Sequence, residues 1–408
     1  MPRAVHIRSL GELRAAATAW DDLWRRSDAT LPTARAETLA AFVEHFTPRA
    51  GFLALVIEEH GRWLAALPWV EGRVARVLPA AKLPSNEWPG GGDLLWDLAA
   101  ADPRSVGRLL VAEIRKLPWP LLWLEGVTPE RTSWRTLLDC LAEAGVPADL
   151  GVRWLSGRLT IRHDWEAFRR SWSRGHRQRM AARLRRLAGL GPVEFQLHAH
   201  LPPDEVEACL RRGFQVEDRG WKGAAGTAVL HTPGMFDFFL RQSQWLAAWG
   251  QLELALLVCA GRPIAFCYGV SAKGVFHSCK IGYDPAYAEL SPGLLLQHHL
   301  LEHFAADRRR LAVDYLGPLT EYHRHWRPEA YAVGRLAVAP GRLGRIALAG
   351  YRCWKARKNA QRSADKEEGA AADPVRKPDA PASDEVLASL TVGASTAGCA
   401  GGAVGADR

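Results

Sequence analysis

Cysteine pairs, long apolar runs and acidic partners for arginine are all in short supply in this chain. The seven cysteines (Cys140, Cys209, Cys259, Cys267, Cys279, Cys353 and Cys399) are odd in number and none forms a C-x-x-C pair. That excludes the usual zinc spacing. The cysteines on strand-like stretches read as buried free thiols in a reducing cytoplasm. No stretch approaches the roughly 20 apolar residues of a membrane span, and no basic start leads into an apolar core. A cytoplasmic protein is therefore expected. No Ser-His-Asp arrangement is visible, so a covalent intermediate is not expected. His323 and His325 form His-x-His without a third ligand nearby, so no metal is expected.

What is present is a globular composition. The 408 residues are 48% hydrophobic and 24% charged, enough for two or three domains. Seventeen tryptophans suit packed seams or a cleft. Residues 363–408 are rich in Ala, Gly, Pro and Ser without periodicity and read as a disordered tail. The tail carries four basic and eight acidic residues, a charge of −4, which leaves +13 of the overall +9 on the remainder. Such a body expects an anionic partner: a nucleotide phosphate, an acidic glycan precursor, RNA or a membrane surface.

The centre of the pattern is 251–304. Leu252, Leu254, Leu256 and Val258 alternate as a half-buried strand requires. Turns at Gly261-Arg262-Pro263 and Lys273-Gly274 join this strand to 264–270 and 275–281. A polar loop, 283–290, leads to Ser291-Pro292-Gly293, where Ser291 is the expected N-cap and Pro292 the first helical residue. A helix start of this kind offers free N–H groups and a positive dipole end to a phosphate. A plain capped helix gives the same pattern. Strands at 311–316 and 331–338 follow.

The first half repeats this order. A strand at 4–7 and helices at 10–26 and 33–46 precede a meander at 52–58, 63–69 and 74–78, with turns at His60-Gly61 and Glu71-Gly72. A glycine-rich loop at 84–93 could cradle a phosphate through Gly90 to Gly92, although a lid or a degenerate site fits it better. Then come a helix at 103–117, a strand at 120–125, a helix at 134–144 and a strand at 152–161. We read an internal duplication with a seam near 160–163.

The second half opens with a helix over 164–187, broken near Gly175. From Trp165 on it carries Arg169, Arg170, Arg174, Arg177, Arg179, Arg183, Arg185 and Arg186 against one acid, Glu166. A solvated face is the ordinary fate of a charge run. So many arginines with so few partners also fit contact with phosphates. A strand at 191–197, a helix at 203–216, Trp221-Lys222-Gly223 and a helix at 232–249 lead to the meander. Beyond it, 341–362 is a basic helix with Leu343, Ile346, Ala347, Tyr351 and Trp354 on one stripe and Leu348 off it. It could dock on the body or lie on an anionic membrane.

Meander, phosphate-type loop, helix and strand resemble the order of the GNAT acetyltransferase fold. The arginine helix, the W-K-G segment, the G-R-P-I-A turn, the loop K-x-x-Y-D-P-x-Y-A-x-x-S-P-G and the D-Y-L-G strand occur in order. The chain thereby resembles the bacterial CelD/BcsL acetyltransferase group, and more distantly the FemAB aminoacyltransferases, which carry two such folds in tandem. Lys280, Tyr283, Asp284, Tyr287, Ser291, Pro292 and Gly293 match the loop, and Trp221 and Lys222 match W-K-G. His323 stands where that group has Lys after Tyr, and the fold's usual Gln/Arg-x-x-Gly-x-Gly/Ala motif is absent.

The resemblance implies an α+β architecture: tandem GNAT-like folds with mixed, largely antiparallel sheets flanked by helices. The halves would be 1–161 and 162–340, followed by the helix 341–362. It implies an acyltransferase using acetyl-CoA or another acyl-CoA on an amine or hydroxyl, in envelope or exopolysaccharide synthesis. The alternatives are a FemAB-like enzyme drawing on aminoacyl-tRNA and a non-catalytic binding protein.

Acyl transfer needs a positioned donor, a polarised carbonyl and a neutral amine. Ser291, Gly293 and Leu294 at the helix start, with Lys280, are the expected donor-binding residues. Arg177, Trp221, Lys222, Tyr283 and Trp326 are candidates for substrate contact. Asp284, Asp314 and His325 are candidate bases, and Tyr322 is the candidate acid. Each has a plainer reading: Asp284 shaping a turn, Asp314 pairing at a strand end, Trp221 packing above a surface Lys222, and the aromatics lining a core.

Overall fold

The computed structural model describes residues 1–372 apart from Glu87, Pro89 and Ala101, with side chains described as far as Arg357. The described residues up to Leu348 form one compact unit and those from Ala349 to Ala372 belong to another.

Thirteen strands make a single mixed sheet among the described residues. They are β1 (Arg3–Ile7), β2 (Phe52–Glu59), β3 (Arg62–Val74), β4 (Leu78–Lys82), β5 (Leu95–Trp96), β6 (Leu121–Val127), β7 (Ala148–Thr160), β8 (Val193–Ala199), β9 (Leu252–Cys259), β10 (Arg262–Ala272), β11 (Val275–Tyr283), β12 (Ala312–Asp314) and β13 (Glu329–Val338). The order across the sheet is β1-β2-β3-β4-β6-β13-β7-β12-β11-β10-β9-β8, with β5 alongside β3. Two meanders thus form the outer ends. Each ends on a three-residue parallel pairing, β4 with β6 and β11 with β12. The middle is interleaved: β13, last in the chain, lies between β6 and β7 and is antiparallel to both.

Helices cover both faces. Val106, Leu110 and Ile114 of the helix Pro103–Ile114 and Trp134 and Leu141 of Thr132–Glu143 close one core of the first half. Trp20, Leu23, Leu39 and Val43, from Ala17–Arg26 and Ala36–Phe46, close the opposite one. In the second half, Pro292–Ala306 and Arg174–Ala188 cover one face, and Pro203–Asp218 with Met235–Ala248 the other. Five of the seventeen tryptophans (Trp20, Trp69, Trp96, Trp134 and Trp326) are fully buried.

Polar side chains tie the halves. The Lys273 ammonium donates to the carbonyls of Trp24, Ser27 and Ala29 from 2.5 to 2.9 Å. Arg35 lies 3.5 Å over the Trp249 ring and donates to Gln251.

Several local expectations need correction. The β3–β4 turn falls at Ala75 and Arg76, both left-handed, instead of Glu71-Gly72, so β3 runs to Val74. The arginine-rich segment breaks at Trp172-Ser173 because the Ser173 hydroxyl caps a new helix at the His176 N–H; Gly175 lies inside that helix. The polar loop after β11 is a 3₁₀ helix, Pro285–Leu290. The last helix runs Arg342–Ala372, ten residues past its expected end. The remainder of the expected tail lies outside the described residues.

One close approach sets the spacing of helix and sheet in the second half. A Cβ on Gly213 would stand 2.2 Å from the Phe266 ring. Gly213→Ala is therefore expected to cost about 1–3 kcal/mol in urea unfolding, because the helix Pro203–Asp218 must lift off β10. An unchanged midpoint would refute this.

Candidate active site

The site grows out of a strand pair that parts. β11 and β12 pair only at Val275–Ala312, Phe276–Val313 and His277–Asp314. β11 then continues for six residues without β12. A bulge starts the divergence: between Tyr268 and Gly269 the β10 register skips Cys279, and bulges add local twist. In the first half, β4 meets β6 at Ala80–Lys82 and ends there, so no wedge opens.

The wedge leads into a cavity of about 600 Å³. On the side of the helix Pro292–Ala306 it is walled by Gly293, Leu296, Leu300, Cys267 and Tyr322. On the side of the helix Pro203–Asp218 it meets Glu217, Trp221 and Lys222. Trp221, Ile281 and Tyr283 line it while still being exposed.

The helix side is apolar, and the hydroxyl and amide donors of its side chains are already engaged. The Tyr322 hydroxyl donates to the Gly293 carbonyl at 2.9 Å, and Gln297 donates to the Tyr315 hydroxyl at 3.3 Å. Burial raises the Tyr322 pKa, so it stays a phenol with a proton to give. Burial also pushes the Cys267 thiol up to about 12, so it is no nucleophile at neutral pH.

The opposite side holds a buried carboxylate. Glu217 Oε1 receives the Lys222 ammonium at 2.8 Å and the Lys280 ammonium at 3.1 Å, and Oε2 accepts the Val229 N–H at 3.2 Å. Lys280 also lies 4.3 Å over the Trp88 ring, and burial lowers its pKa. Gly282 lets this helix touch β11, since a Cβ there would stand 2.8 Å from Glu217 Cα.

Five expected site residues thus meet in one cavity: Gly293, Trp221, Lys222, Tyr283 and Tyr322. The others stand elsewhere. Ser291 occupies the N-cap position in a left-handed conformation (φ 51°), and its side chain makes no cap bond. The Leu294 and Leu295 N–H groups both donate to the Ser291 carbonyl, and Pro292 has none, so the cradle is shallower than expected. Leu294 itself faces the core. Lys280 is held by Glu217, away from the helix start. Asp284 is buried, paired with Arg219 and Arg262, and caps the Ala286 N–H. Asp314 accepts from the Tyr331 hydroxyl and the Leu316 N–H. His325 stacks on His176, Trp326 is buried against Trp172, and Arg177 donates to the Arg170 carbonyl. The glycine loop packs: Gly90 lies against Gln242 and Phe42, and Gly91 has no room for a Cβ beside the Pro84 carbonyl.

Glu217 and the Phe266–Cys267 wall were not assigned from sequence. Glu217 ends a helix whose neighbours gave no hint of two lysines from other segments. Among the described residues no group of three acids, cysteines or histidines could hold a metal, and no helix is long and apolar enough to cross a membrane.

A family model for the acetyltransferase (GNAT) domain matches residues 174–324. No curated protein sequence matches the chain. Among solved structures, FemX superposes with a TM-score of 0.55 at 9% identity, over 82% of this chain and 96% of FemX. The C-terminal domain of an Agrobacterium fabrum protein described as a putative lysylphosphatidylglycerol synthetase superposes with a TM-score of 0.51 at 16% identity, over 83% of this chain and 95% of that domain. The chain has the GNAT fold, its stretch 174–324 is similar to the acetyltransferase (GNAT) domain, and on that domain the chain is an acyltransferase.

Proposed function

We propose that the chain transfers an acyl group from a coenzyme A thioester, acetyl-CoA being the simplest, to an amine or hydroxyl of an envelope or exopolysaccharide acceptor. This is the activity expected of a cytoplasmic CelD/BcsL-type enzyme. The observation that carries the reading is the wedge between β11 and β12, which opens into a cavity with Gly293 on one wall and Glu217 on the other. An extended pantetheine arm can pair with the free edge of β11 as a strand would. Its acyl carbonyl then lies in the apolar part, with the acceptor entering past Trp221 and Lys222. The acceptor's nitrogen or oxygen attacks, the new bond forms as the carbon–sulfur bond breaks, Glu217 takes the acceptor proton, and Tyr322 supplies one to the thiolate. Transfer is direct, in keeping with a Cys267 held as thiol. In this reading 1–161 and 162–340 are two GNAT-like halves and only the second is catalytic, because β4 ends where its parallel pairing ends.

A second reading, transfer from aminoacyl-tRNA, draws support from the helix start. Among the described residues the Gly293 N–H is the donor there not spent on the chain's own carbonyls, a thin cradle for a diphosphate. The arginine helix would then meet RNA.

Calorimetric titration separates the two. Micromolar binding of acetyl-CoA supports the thioester reading, and binding of charged tRNA with no response to CoA compounds overturns it. Gly293→Trp is expected to weaken acetyl-CoA binding at least 30-fold. A Cβ there meets only Tyr322 at 3.8 Å, so the fold tolerates the change while the ring fills the cavity. Unchanged affinity would move the donor elsewhere.

A further inference from the structure

The helix that follows β13 turns the wrong residue inward for a body-docking helix. Leu348, which falls off its apolar stripe, is buried with Gly344, whose Cα face meets the Pro120 carbonyl so closely that a Cβ would stand 1.8 Å away. This contact fixes which way the first turns face. Leu343 and Ile346, on the stripe, are 73% and 71% exposed. On the sequence, Ala347, Tyr351 and Trp354 continue that stripe at helical spacing within the helix Arg342–Ala372, and Trp354 is 56% exposed.

The charge around the stripe has one sign. Between Gly341 and Ala364 there are seven cations (Arg342, Arg345, Arg352, Lys355, Arg357, Lys358 and Arg362) and no acid. At 3.6 residues per turn Arg342 falls on one flank of the stripe and Lys355 on the other. A protein partner would have to supply both an apolar groove and a run of carboxylates. An anionic bilayer surface offers both at once, acyl chains beneath and negative headgroups beside.

We propose that the helix beginning at Arg342 lies along an anionic membrane surface, with Leu343 and Ile346 dipping below the headgroups, Arg342 at their level, and the cations that follow in the sequence adding to the attraction. This surface is separate from the acyl-transfer cavity and stands whichever donor that cavity takes.

The test is flotation of the full chain with vesicles of phosphatidylglycerol and phosphatidylcholine, against phosphatidylcholine alone. Anionic vesicles are expected to carry the protein at least tenfold more effectively, with the advantage shrinking as salt rises from about 0.05 to 0.5 M. Leu343→Glu with Ile346→Glu is expected to abolish flotation while thermal unfolding stays unchanged, since both side chains are exposed. No flotation with anionic vesicles, equal flotation with neutral ones, or flotation indifferent to the double substitution would each overturn the proposal. So would a parent dimer that the substitution splits and that never floats, which would make the stripe a contact between copies of the chain.

Discussion

Glu217→Gln is expected to slow acyl transfer by about 10²–10⁴-fold, the range over which a positioned proton acceptor contributes. Glutamine keeps the shape of the side chain, and its one oxygen can still accept from Lys222 and Lys280, while its NH2 faces the Val229 N–H and gives up that bond. What it loses is the ability to take a proton from the attacking amine or hydroxyl. Because Glu217 lies across the cavity from Gly293, the KM for the thioester should hardly move, and the loss should fall on kcat. The measurement is release of the CoA thiol with any acceptor that supports turnover in the parent. Lys280 makes a useful control. Lys280→Met leaves the carboxylate and its Lys222 partner in place, so it should cost much less in kcat than Glu217→Gln. A Glu217→Gln variant that turns over within threefold of the parent would remove the carboxylate from the mechanism.

That residue marks where local sequence stops being informative. The second meander could be read almost directly: the Lys273-Gly274 turn stands where expected, and the first turn falls at Ala260-Gly261 instead of Gly261-Arg262-Pro263, because Arg262 already pairs in β10; both turns are left-handed at both residues, as two-residue hairpins demand. Its strands alternate or run apolar on either side. The helix after Ser291 could be read for the same kind of reason: proline at the first position and a leucine run behind it. What could not be read depends on segments far apart in the chain. Glu217 gains its meaning from Lys280, on a strand that begins more than fifty residues later. Asp284 looks available until Arg219 and Arg262 close on it. The insertion of β13 between β6 and β7 follows from pairing across some two hundred residues, which no local periodicity records. Ser291 shows a different limit. Its type is right for a cap, yet its left-handed torsion aims the side chain away from the N–H groups it would serve.

Stability is expected to fall steeply as the pH drops from 6.5 to 4, through two histidines sealed among tryptophans. His176 is 2% exposed, stacked on His325 at 4.6 Å with Trp172 and Trp326 against its edges. His298 is 6% exposed beside Trp165 and Trp172. Among the described residues neither ring nitrogen of His176 has a hydrogen-bond partner, and the groups that oppose a proton on the pair are His325 and His299, then Arg169, Arg179 and Arg183. Burial, reinforced by these like charges, pulls His176 to about 4 and His298 to about 3. The unfolded chain takes up protons at these sites near pH 6.5 and the folded chain does not. Acidification therefore favours unfolding, and the contribution is complete only above about 6.5. The lowering corresponds to roughly 3–5 kcal/mol per site at its full extent, a large part of a typical 5–15 kcal/mol. Urea midpoints measured from about pH 7.5 to 4.5 should decline in the parent. They should decline less in His176→Phe and less again with His298→Phe added, since a phenyl ring fills much of the same space without a proton to gain. The difference between parent and variant isolates these sites from the carboxylates, which titrate in both. Parallel curves would mean that water or a shift of the Arg174–Ala188 helix relieves the imidazolium, and that the aromatic seal beneath the arginine face is looser than its geometry implies.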